Sequence, residues 1–371
     1  MQVKNIKTAK TFPHNMLKEI FEQPDVIKNI IDEYINKKRK EAVFNDPDKI
    51  LKKLKKINRI IILGCGTSFY AGLAGKYMFS EYLGIEAEID LADEFIARKV
   101  KTDSKTLVIT ISQSGKTADV IKAVRLVKKQ KSFVLSLTNV VDSKLDWLDS
   151  FTLYNQAGEE KALAATKTYT SQILLFALIT LYLGKMQKKI TPMLRVKIIN
   201  EIIRLPKKIN QILKQNVNLQ IIANKYYKLD DLLVLGKNYQ YASALEAGLK
   251  LKETTYMHAE SFALGEFLHG PVAISDKKHP CLVFAPTGKN YKEAKEMIKK
   301  LKKLKKKVIV ITTQGNRQLI KIADKIIYTP KTLNLFNPIL NIIPVQILAY
   351  HIAVLKGINP DKPRNLNKYV G

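Results

Sequence analysis

Residues 59–68 read RIIILGCGTS, and residues 106–117 read TLVITISQSGKT. Each is a short apolar run halted by a turn of glycine and hydroxyl residues. A helical pattern follows each, over 68–83 after the first and to about residue 129 after the second. An apolar run of this length reads as a strand buried on both faces. Strand, turn and helix in repetition read as a parallel sheet covered by helices. Further strands are expected at 87–92, 133–137 and 151–154. The pattern restarts at 232–235, 281–285, 308–311 and 325–328. Between the two series, 164–226 reads as long helices with a break near residue 184. Ahead of the first strand, 14–56 reads as successive helices: one ending at Pro24, one over 26–40 and one beginning near Asp46. The expectation is an α/β protein of two doubly wound, parallel-sheet, nucleotide-fold-like lobes. Its parts are a helical segment (1–44), a first lobe (45–185), a helical connector (186–219), a second lobe (220–360) and a tail (361–371).

The composition agrees with this class. A chain of 371 residues is long for one compact domain, and 46% apolar residues exclude a disordered chain. Two cysteines cannot staple a secreted scaffold. The start, MQVKNIKTAKTFPHN, has no apolar core of a secretory signal. The longest aliphatic stretch, 173–183 (ILLFALITLYL), is eleven residues, short of the roughly 20 that cross a bilayer, and reads as a buried helix. A soluble, cytoplasmic protein is expected, with no membrane partner. Lys+Arg is 63 against 33 Asp+Glu, a net charge of +30. Only 8 of the basic residues are Arg, the side chain on which base readout leans, so no nucleic-acid partner is expected. The lysine-rich stretch 289–307 places Ala294, Ile298, Leu301 and Leu304 at helical spacing. It reads as an amphipathic helix with a solvated basic face.

Five segments carry chemistry. Gly64-Cys65-Gly66-Thr67-Ser68 and Ser112-Gln113-Ser114-Gly115-Lys116-Thr117 both lie at strand-to-helix junctions. Hydroxyls, backbone N–H groups and a helix dipole together suit a phosphate monoester. Neither segment has the spacing of a Walker loop or a dinucleotide fingerprint. In ALEAGLKLKE (244–253), Glu246, Lys250 and Glu253 share one helix face. They read either as ordinary surface pairs or as a proton-transfer set. His258-Ala259-Glu260 and Gly265-Glu266-Phe267-Leu268-His269-Gly270-Pro271 gather two of the five histidines without metal-ligand spacing. A histidine held by a turn suits acid–base work. The tail, KPRNLNKYVG (362–371), reads either as a solvated terminus or as a functional segment.

Taken together, CGTS, SQSG-x-T, ALEAGLKLKE, HAE and PRNL-x-K, in that order, resemble the isomerase part of glucosamine-6-phosphate synthase, the glutamine–fructose-6-phosphate amidotransferase. That part consists of two sugar-isomerase (SIS) lobes. The resemblance runs from PHNMLKEI (13–20) to PRNL (363–366). It implies that Ser112, Gln113, Ser114 and Thr117 cradle the substrate phosphate, and that Thr67, Ser68, Leu163, Ala165 and Asn367 contact the substrate. It implies that Glu253 moves the proton between C1 and C2, with Glu246 and Lys250 in support. It further implies that Lys368 forms a Schiff base with the keto sugar, and that His269 opens the sugar ring in the neighbouring subunit's site. A homodimer with shared sites follows, with no cofactor and no metal.

The sequence departs from that family in three places. Residue 2 is Gln where the resemblance puts the glutaminase nucleophile, and no glutaminase domain or glutaminase activity of its own is expected for this chain. Lys116 stands where synthases carry Glu, and Ala165 where they carry Ser. The activity implied is interconversion of fructose 6-phosphate and glucosamine 6-phosphate. Nitrogen would come from free ammonia or a separate glutaminase chain, or the reaction would run as a deamination. The alternatives are a simple phosphosugar isomerase and a non-catalytic sugar-phosphate sensor.

Overall fold

The computed structural model describes residues 11–44, 54, 56–148, 150–274 and 279–367. Two five-stranded, wholly parallel sheets organise the chain. The first comprises β1 (Arg59–Gly64), β2 (Ala87–Leu91), β3 (Thr106–Ser112), β4 (Phe133–Thr138) and β5 (Phe151–Tyr154). The second comprises β6 (Asp231–Gly236), β7 (His258–Ala263), β8 (Cys281–Phe284), β9 (Val308–Thr313) and β10 (Lys325–Thr329). The strand orders are 2-1-3-4-5 and 7-6-8-9-10, so each sheet reverses direction between its first and third strands. In open α/β sheets, ligands bind at that reversal, beyond the carboxyl ends of the strands.

The helices that matter for the site are α1 (Asn15–Tyr34), α2 (Thr67–Met78), α3 (Ala118–Lys129), α4 (Lys167–Met186), α5 (Pro192–Leu213), α6 (Asn216–Tyr226), α7 (Tyr239–Thr255), α8 (Tyr291–Lys303) and α9 (Asn337–Leu355). Each sheet turns one face to a single core shared by both lobes. Ile60, Ile62, Leu107 and Ile109 enter it from the first sheet, and Val234, Leu282 and Ile309 from the second. The alternate residues pack outward. Ile61, Leu63 and Val108 meet Val120 and Val124 of α3, while Leu235, Val283 and Val310 meet Ile298 and Leu301 of α8. This alternation is why the strands read as unbroken apolar runs.

Helices α4 and α9 lie inside the shared core. They are long and apolar enough to cross a membrane, yet 83% and 89% of those spans are buried within the protein. A helix enclosed on all sides has no polar stripe.

The two lobes repeat each other closely. Helix α2 starts after Gly66 (φ 54°, ψ −129°), and α7 after Asn238 (φ 57°, ψ −129°). Glycine meets that conformation without a Cβ. Asn238 meets it with its side-chain oxygen accepting from the Tyr239 N–H at 2.7 Å.

Three expectations need correction. Helix α1 does not stop at Pro24 but runs on to Tyr34. Proline cannot donate to the carbonyl four residues back, that of Ile20. The Gln23 side-chain amide donates to that carbonyl instead, at 3.1 Å. Second, residues 35–42 are not helical: Ile35–Asn36 pairs antiparallel with Glu41–Ala42. Asn36 Oδ1 turns that hairpin by accepting from the N–H groups of Lys38 and Arg39. Third, HAESFA (258–263) is strand β7, which the expected strand series left out. It pairs with β6 at the edge of the second sheet. As a half-covered edge strand it lacks the apolar run that marks the others. The helix expected from Asp46 lies largely outside the described residues.

Candidate active site

The first sheet's reversal point lies between β1 and β3. The turns leaving those strands are the two hydroxyl-rich segments. After β3 the chain folds tightly. The Gly115 N–H donates to the Ser112 carbonyl (3.2 Å) and to Ser112 Oγ (3.1 Å), and Ser112 Oγ shares a 2.7 Å bond with Thr117 Oγ1. Ser114 Oγ accepts from the Lys116 N–H at 3.2 Å, which leaves its O–H free to donate. Gly115 has φ +63°, and a Cβ there would stand 2.2 Å from Ser143 Oγ, so only glycine fits this turn. Thr117 then takes the N-cap position of α3 without a side-chain cap hydrogen bond, and a helix N-terminus of this kind leaves backbone N–H groups for an anion.

A cavity of about 160 Å³ opens at this point. Its lining includes Thr67, Ser68, Ser112, Gln113, Ser114 and Thr117, with Leu163, Ala165, Cys65 and Glu160 completing the wall. The cavity therefore gathers eight of the expected substrate contacts from three separate stretches of chain. Ser68 Oγ accepts from the Gln172 amide of α4 at 3.2 Å, which sets its rotamer.

Helix α7 of the second lobe packs on α2 of the first, and its ALEAGLKLKE face joins the cavity wall at Thr67, with none of its own residues in the lining. Thr67 Oγ1 donates to Glu246 Oε1 at 3.3 Å. Lys250 Nζ stands 3.6 Å from Glu246 Oε1 and 2.5 Å from Glu253 Oε2. Glu246 and Lys250 are fully buried, while the Glu253 side chain keeps 20% exposure. This is not a set of surface pairs. Burial pulls the Lys250 ammonium down, but Glu246 and Glu253 more than offset this and push it up to about 12. Burial pushes the Glu246 carboxyl up to about 8. Lys250 opposes the rise, Glu253 adds to it, and the Thr67 hydrogen bond opposes it again. The arrangement is a charged lysine bonded to Glu253, beside a Glu246 that holds its proton near neutrality. Glu246 Oε2 has no hydrogen-bond partner among the described residues.

A stability profile follows. Below about pH 4.5, Glu246 is protonated in both folded and unfolded chains. As pH rises from there toward 8, the unfolded chain has released a proton that the folded chain retains, so stability falls. The slope is at most about 1.4 kcal/mol per pH unit for one group. Glu19, also pushed up to about 8 by burial and then by Glu160, acts in the same direction. Glu246→Gln is expected to flatten the decline between pH 4.5 and 8, read as denaturation midpoint against pH. An unchanged slope would remove Glu246 from the proton balance.

Among the described residues, His258, His269 and Asn367 do not line this cavity. His258 is exposed on β7 and pairs with Asp231 at 3.0 Å. His269 is exposed after the short turn Glu266–Leu268, with its N–H bonded to the Glu266 carbonyl. Asn367 is exposed on the tail. Lys368 lies outside the described residues.

Sequence reasoning missed Glu160. It lies in the cavity wall, 4% exposed, and accepts from the N–H groups of Thr166 and Thr168 and from the Thr168 hydroxyl. Nothing in the sequence separates it from its exposed neighbour Glu159, because its burial comes from loop closure around the start of α4.

Two reversal-point α/β lobes, with a hydroxyl-lined cavity in one and a buried ionisable face supplied by the other, define the class: the SIS domain matches at residues 53–182 and 225–356, and the chain belongs to that family. It is similar to the glutamine--fructose-6-phosphate aminotransferase [isomerizing] of Chlorobaculum tepidum, 37% identical over 363 residues, covering 97% of this chain and 58% of that protein. The protein of the same name from Bacteroides thetaiotaomicron is 37% identical over 359 residues, with the same coverage of 97% and 58%. The chain thus spans about 58% of the length of these relatives. Among solved structures, the C-terminal domain of glucosamine-fructose-6-phosphate aminotransferase from Francisella tularensis superposes with a TM-score of 0.91 at 28% identity, covering 96% of this chain and 100% of that one. A glucosamine-6-phosphate deaminase from Thermotoga maritima shares the fold, with a TM-score of 0.72 at 23% identity over 96% of this chain and 99% of that one.

Proposed function

We propose that this chain interconverts fructose 6-phosphate and glucosamine 6-phosphate at the cavity between β1 and β3. One observation carries the reading: a turn of clustered hydroxyls at a helix N-terminus is joined through Thr67 to a largely buried Glu–Lys–Glu face donated by the other lobe. The hydroxyls of Ser112, Ser114 and Thr117 and the N-terminus of α3 hold the phosphate. That leaves C1 and C2 of the open-chain sugar toward α7. Glu253, the accessible carboxylate of the triad, carries the proton between those carbons, while Lys250 holds it in place. In the synthetic direction the Lys368 amine displaces the C2 carbonyl oxygen as water, ammonia then displaces that amine from the imine, and the proton shift, with hydrolysis at neither carbon, sets the 2-amino aldose. Lys368 activates the keto sugar as an imine, and His269 of a second copy opens the ring, so the working unit is a homodimer. Ammonia arrives free or from a separate glutaminase chain.

The test is one assay on purified protein. Fructose 6-phosphate with ammonium, and glucosamine 6-phosphate alone, are each supplied while amino sugar and ammonia are followed. Nitrogen exchange in either direction supports the reading. Aldose formation without nitrogen exchange marks a simple isomerase, and tight binding with no turnover marks a sensor. Within the same system, Ser114→Ala is expected to weaken sugar-phosphate binding by about 10- to 150-fold. That is the equivalent of about 1.5–3 kcal/mol for a hydrogen bond to a charged group. Unchanged dissociation constants for the Ser112, Ser114 and Thr117 alanine variants would end the phosphate-cradle assignment.

A further inference from the structure

We propose that Asp361 is a positioning residue for the sugar end of this cavity, tying the first turn of α1, the loop 159–166 and the root of the tail into one unit. The inference rests on the proposed function for its kinetic consequence, but not for its structural one. Helix α1 begins after His14, which makes no side-chain cap. Its first two N–H groups donate instead across 346 and 345 residues of chain: Asn15 to Asp361 Oδ2 at 2.8 Å, and Met16 to Asp361 Oδ1 at 2.8 Å. The Asn15 side-chain amide adds a third bond to Oδ2 at 2.9 Å. A carboxylate suits this position because it has two acceptors for two successive N–H groups, and its charge opposes the helix dipole.

The same residue reaches the cavity wall. The Asp361 carbonyl accepts from the Leu163 N–H at 3.2 Å. The preceding N–H groups, of Lys161 and Ala162, donate to Glu19 Oε1 on α1. Three consecutive loop amides are therefore held by α1, directly through Glu19 or indirectly through Asp361. The far end of the loop is held by Glu160. Leu163 and Ala165, which line the cavity, stand between these anchors. Three residues past Asp361, the Arg364 N–H donates to the Tyr256 hydroxyl at 2.7 Å, and the Arg364 guanidinium lies 4.2 Å over the Tyr256 ring. Tyr256 ends helix α7, which carries Glu253. The stretch 361–364 thus joins the substrate loop to the helix bearing the proton-transfer face.

The test uses the full chain as Asp361→Ala and Asp361→Asn, read by amide hydrogen exchange without ligand and by steady-state kinetics with fructose 6-phosphate and ammonium. In Asp361→Ala the N–H groups of Met16 and of 161–163 are expected to exchange at least tenfold faster, while those of 112–117 keep their wild-type rates. Asp361→Asn, which keeps one acceptor, falls between, and it carries the test should the alanine variant fail to fold. In turnover, kcat is expected to fall tenfold or more with KM within threefold, because the phosphate contacts are untouched. Faster exchange at Met16 with wild-type rates at 161–163 would overturn the tie. Coupled exchange with wild-type kcat would reduce Asp361 to a structural cap. If the wild-type chain neither makes nor consumes glucosamine 6-phosphate, the proposed activity fails, and the exchange measurement alone decides the tie.

Discussion

Glu253→Gln is expected to lower turnover by about 10²–10⁴-fold, the range that a positioned general base contributes. Gln keeps the shape and still accepts from Lys250, but it cannot take up a proton. Access favours the same residue that the resemblance implies, Glu253 rather than Glu246. Glu246 is fully buried and holds its own proton, whereas the Glu253 side chain keeps 20% exposure, 2.5 Å from Lys250 Nζ. Sugar-phosphate binding should stay within threefold, since the phosphate turn lies on the other lobe. Solvent deuterium incorporation at C1 and C2 should fall with turnover. A variant retaining a tenth of the activity, or losing affinity in step with rate, would place the proton transfer elsewhere.

Lys250→Met is expected to destabilise the fold by about 3–5 kcal/mol, the cost of removing one partner from a buried ion pair. The ammonium is fully buried and faces two acidic side chains: the Glu253 carboxylate, and a fully buried Glu246 that holds its proton near neutrality. Methionine fills much the same volume but leaves Glu246 and Glu253 facing each other without a cation. Because Glu246 already holds its proton at pH 5 and begins to ionise only near pH 8, the loss should be smaller at pH 5 than at pH 8. Adding Glu246→Gln should restore part of the stability, since it removes the buried acid that lost its partner. The measurement is the denaturant midpoint of the three variants at both pH values. A Lys250→Met chain within 1 kcal/mol of wild type would mean that water reaches the triad and screens it.

Much of this architecture was legible in the chain. RIIIL, TLVITI, FVLSL and VIVI were readable as strands because each is covered on both faces, so burial imposes an apolar residue at every position. The hydroxyl-rich turn after β3, the proposed phosphate site, was legible for a related reason: a tight strand-to-helix turn of this kind draws on Ser, Thr and Gly in neighbouring positions. Elements that depend on one distant partner were not legible. Helix α1 passes Pro24 because the neighbouring Gln23 supplies the missing donor. Strand β7 exists because β6 offers it an edge, not because HAESFA favours a strand.

The sequence by itself determined the two-lobed parallel α/β plan, the positions of the hydroxyl-rich turns, and the common helix face of Glu246, Lys250 and Glu253. All three follow from short-range periodicity and local backbone needs. Only the tertiary structure decided whether that helix face was surface or interior. Packing α7 against α2 removed Glu246 and Lys250 from water, and burial changes a pair of ordinary surface charges into a coupled, proton-holding set. Tertiary structure alone also placed Asp361 at the start of α1 and Glu160 in the cavity wall, contacts made across 346 residues in one case and by loop closure in the other. Such bonds leave no mark on neighbouring residues, because their energy comes from the meeting of distant polar groups and not from any local pattern.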